Sequence, residues 1–313
     1  MPSRDIIQDT ILSERRTSQD KVRRNYLKKL YGYTKRDTVI YASAFTSRRI
    51  VNIPSSIISI TTEDIQGFMS ALKGLKGDDL DLIIHSPGGS AEAVEQIVQY
   101  LRSKYNHIRA IVPQNAMSAA TMLACACDEI IMGKHSALGP IDPQITFPTA
   151  TGQYTAPAKT ILLEFEQAKT EILRNPQISP LWMAKVQTIP FGFLQFCQKT
   201  IDLSKEKVES WLETYMLRNE VDKSNKANQI AEWLADYDLH KTHGKPISIK
   251  EAQEKGLKVL PLEEDQKLQD LVLSVYHSTL VTFDITDCMK FIENHFGKGW
   301  YLTLNIPQQS VNP

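Results

Sequence analysis

Between Leu80 and Met132, apolar runs of strand length alternate with stretches whose apolar residues recur at helical spacing, and that alternation leaves few ways to fold. Leu80 to His85 stops at Ser86-Pro87-Gly88-Gly89, and Val94, Ile97, Val98 and Leu101 then mark one face of a helix. Ile108 to Val112 is closed by Pro113, a small-residue segment from Ser118 to Cys127 follows, and Glu129 to Met132 is a third short run. Strands alternating with helices imply an α/β fold, a mostly parallel sheet with right-handed crossovers.

In such sheets ligands bind beyond the carboxyl ends of the strands. Ser86-Pro87-Gly88-Gly89 and Ala116-Met117-Ser118-Ala119-Ala120 both fall there. Paired glycines open backbone conformations closed to other residues and permit close approach, so Gly88 and Gly89 can present free N–H groups to an anionic oxygen. Ser118 opens its helix, where N–H groups and the dipole favour negative charge. A serine beside donors for an oxyanion is the geometry of acyl transfer. Each piece alone is more simply read as a turn or an N-cap; their pairing across one βα repeat favours chemistry.

The order SPGG, MSAA, ACDEI and ALGPIDPQ resembles the Clp and signal peptide peptidase A superfamily of serine peptidases and, within it, the serine dehydrogenase proteinase (SDH) family. The likeness extends upstream to TKRDTVIYASAF (34–45) and downstream to THGKPISIKEAQEKGLKV (242–259), so it covers most of the chain in order. It implies a Clp/crotonase-like fold of repeated β-β-α spiral units, with a mostly parallel sheet flanked by helices and helical extensions at both ends. The expected division is a basic helical arm over 1–36, a peptidase domain over 37–262 with a helical insertion at about 160–240, and an extension over 263–313. The resemblance further implies a serine endopeptidase with Ser118 as nucleophile, an oxyanion hole from Gly89 and Ala119 with Gly88 beside them, and a ring-like homo-oligomer acting on peptides or proteins.

A serine hydroxyl needs a neighbouring base. The Clp proteolytic subunit uses a Ser, His and Asp triad, with its histidine in the segment that here reads Leu138 to Gln144 and contains none. His135 is near in sequence and Asp142 lies in the Pro-rich loop; both are candidates for a supporting place in the site. Signal peptide peptidase relatives use a Ser/Lys dyad, and Lys159 follows Ser118 at a similar distance, 159 − 118 = 41 residues. Lys159 is therefore the expected base, provided that Ala156, Pro157, Ile161 and Leu162 enclose it, since a lysine acts as a base when apolar burial disfavours its charge.

At 313 residues and 42% hydrophobic content the chain can bury one large core or two modest ones. A net charge of +0 argues against nucleic acid as the main partner, although residues 1–36 carry ten Lys or Arg against four Asp or Glu. Ile6, Ile7, Ile11 and Leu12 suit a short amphipathic helix there. No apolar run long enough to span a membrane and no signal-peptide core is present, so a cytoplasmic protein is expected. Cys125, Cys127, Cys197 and Cys288 form no zinc-like pairs, and neither metal nor cofactor is implied. Two other classes stay open: a crotonase-like enzyme for another acyl or thioester substrate, and a catalytically weak scaffold in which Ser118 is a cap.

Elsewhere Thr38 to Tyr41 reads as a first strand. Thr61 or Thr62 is expected to cap a helix with Ile65, Phe68, Met69 and Leu72 on one face, and Thr146 to Ala158 reads as a loop. Helices are expected near 204–217 and 225–237. Ser248 to Glu251 is a capping box, with Gly256 as the stop and Leu257 to Leu260 as a further strand. Leu268 to Tyr276 is helical, and the end is aromatic.

Overall fold

A computed structural model of the chain describes residues 20–48, 53–149, 152–187 and 189–304, together with residues 7 and 10. The chain begins with α1 (Lys21–Thr34) and β1 (Asp37–Ser43), then α2 (Ser55–Ile58), α3 (Asp64–Leu72) and β2 (Asp79–His85). The βα repeat follows as α4 (Ala91–Arg102), β3 (His107–Val112), β4 (Asn115–Ala116), α5 (Ala119–Cys125), β5 (Glu129–Met132) and β6 (Ala137–Leu138). A hairpin of β7 (Gln144–Thr149) and β8 (Gly152–Pro157) leads to α6 (Ala158–Arg174), α7 (Ser179–Val186), α8 (Phe193–Trp211), α9 (Lys223–Ala235), α10 (Tyr237–His240) and α11 (Ile249–Glu254). The described chain closes with β9 (Val259–Pro261), α12 (Gln266–Ile285), β10 (Cys288–Asn294) and β11 (Gly299–Thr303).

Seven strands form one sheet in the order β11-β10-β1-β2-β3-β5-β9. From β1 to β9 all neighbours are parallel; β10 joins β1 antiparallel and β11 joins β10 antiparallel. The apolar runs are continuous because both faces are covered. Val39, Tyr41, Leu80, Leu82, Ile84, Ala110 and Val112 enter a core with α3, α4, α5, α8 and α9, while the alternating Ile40, Ala42, Ile83, Ile111 and Ile131 pack with Leu27 and Leu30 of α1 and Leu271, Val272 and Val275 of α12.

Arg23 of α1, fully buried, donates to Glu293 of β10 at 2.7 Å, and Arg24 Nε reaches the other carboxylate oxygen at 2.5 Å, so α1 is bolted to the antiparallel edge. The expected strands and helices of the βα repeat are all present, with Val94, Ile97, Val98 and Leu101 buried on α4. The Ser248 capping box is present, and Gly256 takes φ +96.

Three local expectations differ. Thr146 to Ala158 is not a loop: Gln144–Thr149 and Gly152–Pro157 pair as a hairpin, on which the Thr146 and Thr155 hydroxyls meet at 2.8 Å and Phe147 packs on Tyr154. Neither Thr61 nor Thr62 caps α3 with its side chain; Asp64 reaches back to accept the Thr61 N–H at 3.0 Å. Met69 is 48% exposed, and the buried face of α3 carries Gly67, Phe68, Ala71 and Leu72. The aromatic end, for which the sequence suggested no element, supplies β10 and β11. Of the four apolar residues suggested for an N-terminal helix, Ile7 is described, helical and buried with Val22 and Val281, whereas Ile6, Ile11 and Leu12 lie outside the described residues.

Candidate active site

Beyond the carboxyl ends of the strands four segments line up: Ser86 bridges Ala116, the short β4 pairs with β6 at Ala116 and Leu138, and Leu138 bridges Ile247. They bring together the glycine turn, the start of α5, the 138–144 loop and the 242–247 loop. Met117 N–H donates to the Ser86 carbonyl at 3.0 Å. The Thr121 hydroxyl donates to the Ala116 carbonyl at 2.7 Å and accepts the Gly139 N–H at 2.9 Å, tying α5 to its neighbours on both sides.

Within that frame Ser118 has φ 54 and ψ −123. Among the described residues three non-glycine residues have positive φ, and the other two, Lys35 and Lys241, are left-handed caps at helix ends. Ser118 lies outside that well, in a conformation that costs on the order of 1–3 kcal/mol and survives only where the surroundings impose it. A serine strained at a strand-to-helix turn presents its hydroxyl outward. Ser118 is half-buried, its side chain makes no capping bond, and its Oγ has no hydrogen-bond partner among the described residues.

The glycine turn is pressed against this serine. A Cβ on Gly88 would stand 2.5 Å from the Met117 carbonyl oxygen, 2.7 Å from Ser118 Cβ and 2.9 Å from Ala119 N; one on Gly89 would stand 2.3 Å from the Ile60 carbonyl oxygen. Both glycines also have positive φ, +98 and +153. The Gly88 carbonyl accepts the Ile60 N–H at 2.7 Å, so the N–H of the same trans peptide, on Gly89, points the opposite way. The amides of Gly89 and Ala119 have no acceptor among the described residues, whereas the Gly88 amide is already held by Ser86 Oγ at 3.2 Å. Gly88 thus contributes close approach, and Gly89 and Ala119 contribute donors.

Asp142 is buried and divides its carboxylate: Oδ1 accepts from His243 Nδ1 at 2.8 Å, and Oδ2 accepts from Gln144 Nε2 at 2.8 Å. Asp142 lies four residues after Leu138 and His243 four before Ile247, and the bridge between Leu138 and Ile247 brings the two loops together. A carboxylate on Nδ1 fixes the tautomer that leaves Nε2 as a proton acceptor. His243 is 28% exposed at its side chain and Nε2 has no partner among the described residues.

Lys159 sits at the first turn of α6, exposed, so the apolar enclosure expected of it is absent. It lines a surface cavity of about 320 Å³ with Asp142, Pro143, Lys205, Glu232 and Asp236, and makes no hydrogen bond to Ser118 among the described residues. His135 is exposed beyond β5, with Nε2 on the Pro113 carbonyl at 2.9 Å. His85, directly before the glycine turn, is fully buried between Phe45 and Tyr276, and burial pulls its pKa down to about 3, which keeps it neutral. His243 is a functional candidate that the sequence does not single out, although it lies inside the THGKPIS block that carries the family likeness.

Parallel crossover units that set an outward serine beside two unengaged amides define a ClpP-like α/β fold with the makings of an acyl-transfer site. The chain belongs to the ClpP-like SDH-type serine proteinase family, whose profile matches residues 11–282. It is 33% identical over 207 residues to an uncharacterized protein of Methanocaldococcus jannaschii, covering 64% of this chain and 60% of that protein. A second uncharacterized protein of that organism is 32% identical over 202 residues, covering 64% and 59%. The chain therefore spans about three fifths of the length of these curated relatives. Among solved structures, a mutant of the 1510-N membrane-bound stomatin-specific protease matches with a TM-score of 0.38 and 17% identity, over 67% of this chain and 77% of that one.

Proposed function

We propose that this chain is a serine peptidase that cleaves peptide bonds through an acyl-enzyme on Ser118, with His243 as general base and Asp142 as its orienting carboxylate. The observation that carries the reading is the backbone of Ser118, strained at a strand-to-helix turn with its hydroxyl unengaged and the Gly89 and Ala119 amides unpartnered beside it. Strain of that kind is retained at sites where it serves the chemistry.

In acylation, Ser118 Oγ attacks the scissile carbonyl carbon as its proton passes to His243 Nε2. The carbonyl oxygen, now negative, accepts from the Gly89 and Ala119 amides. The tetrahedral intermediate collapses, the C–N bond breaks, and the imidazolium returns the proton to the leaving amine. Asp142 stays ionised throughout, holding Nδ1–H and stabilising the positive ring. Water then repeats the sequence on the ester and releases the acid, with Ser118 restored. The chain needs no further group for this cycle.

Lys159 is the rival base, favoured by its place on the cavity that also contains Asp142. Labelling by a fluorophosphonate separates the two. Ser118→Ala should abolish it and His243→Ala should slow it roughly a thousandfold or more, while Lys159→Met should leave it within a few-fold of the native chain. The opposite pattern for the last two assigns the proton to Lys159. Turnover of thioesters but not peptides would instead place the chain among crotonase-like acyl enzymes. A homo-oligomer belongs to the same proposal, supported by apolar side chains that the α6–α8 region leaves exposed, among them Leu173, Leu181 and Phe191.

A further inference from the structure

Behind the glycine turn runs a line of buried polar groups that the catalytic cycle does not use. Lys290 of β10 and Asp64 of α3, with side chains 1% and 0% exposed, form an ion pair at 2.7 Å, and Lys290 Nζ also donates to the Ser59 carbonyl at 2.8 Å. Asp64 Oδ2 accepts from the Tyr41 hydroxyl at 2.9 Å and from the Thr61 amide at 3.0 Å. On the far side of the turn, Ser86 Oγ accepts the Gly88 N–H at 3.2 Å.

The line closes on the peptides that flank Ile60. Ser59 and Thr61 flank Ile60, whose N–H donates to the Gly88 carbonyl at 2.7 Å and whose carbonyl accepts the Ser90 N–H at 3.0 Å. From the other side, Ser86 holds the Gly88 amide. The orientation of the Gly88–Gly89 peptide, and with it the direction of the Gly89 N–H, is thereby determined from two sides.

The donors and acceptors also run consistently. Lys290 faces the carboxylate, and the carboxylate accepts from the Tyr41 hydroxyl and the Thr61 amide. Burial and the Asp64 carboxylate hold Tyr41 far above the usual phenol range, so its proton stays in place at any pH the protein meets. A buried ion pair seldom stabilises a fold more than apolar residues of equal volume, and its better-attested use is to fix one geometry.

We propose that Lys290, Asp64 and Tyr41 are positioning residues for the oxyanion site: by holding the peptides on either side of Ile60 they aim the Gly89 amide at the acyl oxygen on Ser118. The inference rests on the Ser118 reading given above. It assigns to three buried residues, remote in sequence, an effect on the transition state that leaves substrate binding alone.

Tyr41→Phe removes one oxygen from the line without changing the packing of the ring on Phe68, and Lys290→Met tests the far end. Hydrolysis of p-nitrophenyl butyrate is measured per Ser118 site titrated with a fluorophosphonate, so that a poorly folding variant is read on its folded fraction. Hydrogen exchange over residues 86–90 is measured on the same samples. Tyr41→Phe should lower kcat roughly ten- to a hundredfold with KM within about twofold, weaken inhibition by a peptide boronate in parallel, and speed exchange at 86–90; Lys290→Met should move each in the same direction. An unchanged kcat in both variants, or a fall accounted for by KM with unchanged exchange, overturns the proposal. Should the native chain neither label nor turn over at Ser118, the peptidase reading is what fails, and exchange at 86–90 alone decides whether the line holds the peptide.

Discussion

In the proposed site, Ser118 and His243 arrive by different routes. Ser118 was visible because two local patterns, a glycine turn and a small-residue helix start, recur one βα unit apart. His243 is four residues before a bridge to Leu138, and that bridge brings its loop to the loop of Asp142. Nothing local distinguishes a histidine in a Thr-His-Gly loop from one that simply satisfies a backbone carbonyl, as His135 and His240 do. The serine-to-lysine spacing of 41 residues pointed to Lys159, but spacing cannot report that the side chain is exposed. Asp142→Asn tests the pair at this scale. The amide keeps the shape yet can donate to Nδ1, turning the wrong nitrogen toward the serine, so fluorophosphonate labelling should slow by about 10³-fold or more while thermal stability changes little. Labelling at the native rate would remove Asp142 and His243 from the reaction.

At the scale of elements, the legible parts were those whose pattern is dictated by burial. The strands β2, β3 and β5 announce themselves as apolar runs covered on both faces, and the helix α4 as an apolar stripe at helical spacing against the sheet. The β7–β8 hairpin has little buried side and reads as a loop; its pairing depends on cross-strand contacts that periodicity does not see. The glycine turn belongs to both groups, since its residues were legible and its contacts were not. Gly89→Ala would push a methyl into Ile60 and force a non-glycine residue to φ +153, at a cost of roughly 1–3 kcal/mol or more, and should remove labelling as well. Gly74→Ala is the control: also at positive φ, but with only the flexible end of Lys298 nearby at 3.3 Å, it should cost about 1 kcal/mol and leave labelling intact. Equal effects of the two on labelling would show that the glycine turn is structural alone.

Across the whole molecule, the sheet is extended at one edge by β10 and β11, and the buried Arg23–Glu293 pair and the Lys290–Asp64 pair both depend on that edge. The C-terminal strands therefore contribute to the site through its rear wall, an effect that an aromatic-rich tail does not disclose in sequence. Acid should act on the whole molecule through His85. Folded, it binds a proton only near pH 3; unfolded, near 6.5. Between those values the unfolded chain holds the extra proton, so the stability present above pH 6.5 is lost as pH falls, by about 1.4 kcal/mol per pH unit from this residue. Denaturant titrations from pH 7 to 4 should show a shallower acid slope in His85→Gln than in the native chain; parallel slopes would mean that another group carries the acid sensitivity.

The central claim, that Ser118 is the nucleophile of an acyl transfer, is tested most directly by the mass of the covalent intermediate. Rapid acid quenching of the chain with p-nitrophenyl butyrate, followed by peptide mapping, should find one butyryl group per chain, on the peptide carrying Ser118 and absent from Ser118→Ala. Turnover of ester and peptide with no acyl group on Ser118, or with the group on another residue, would contradict the account.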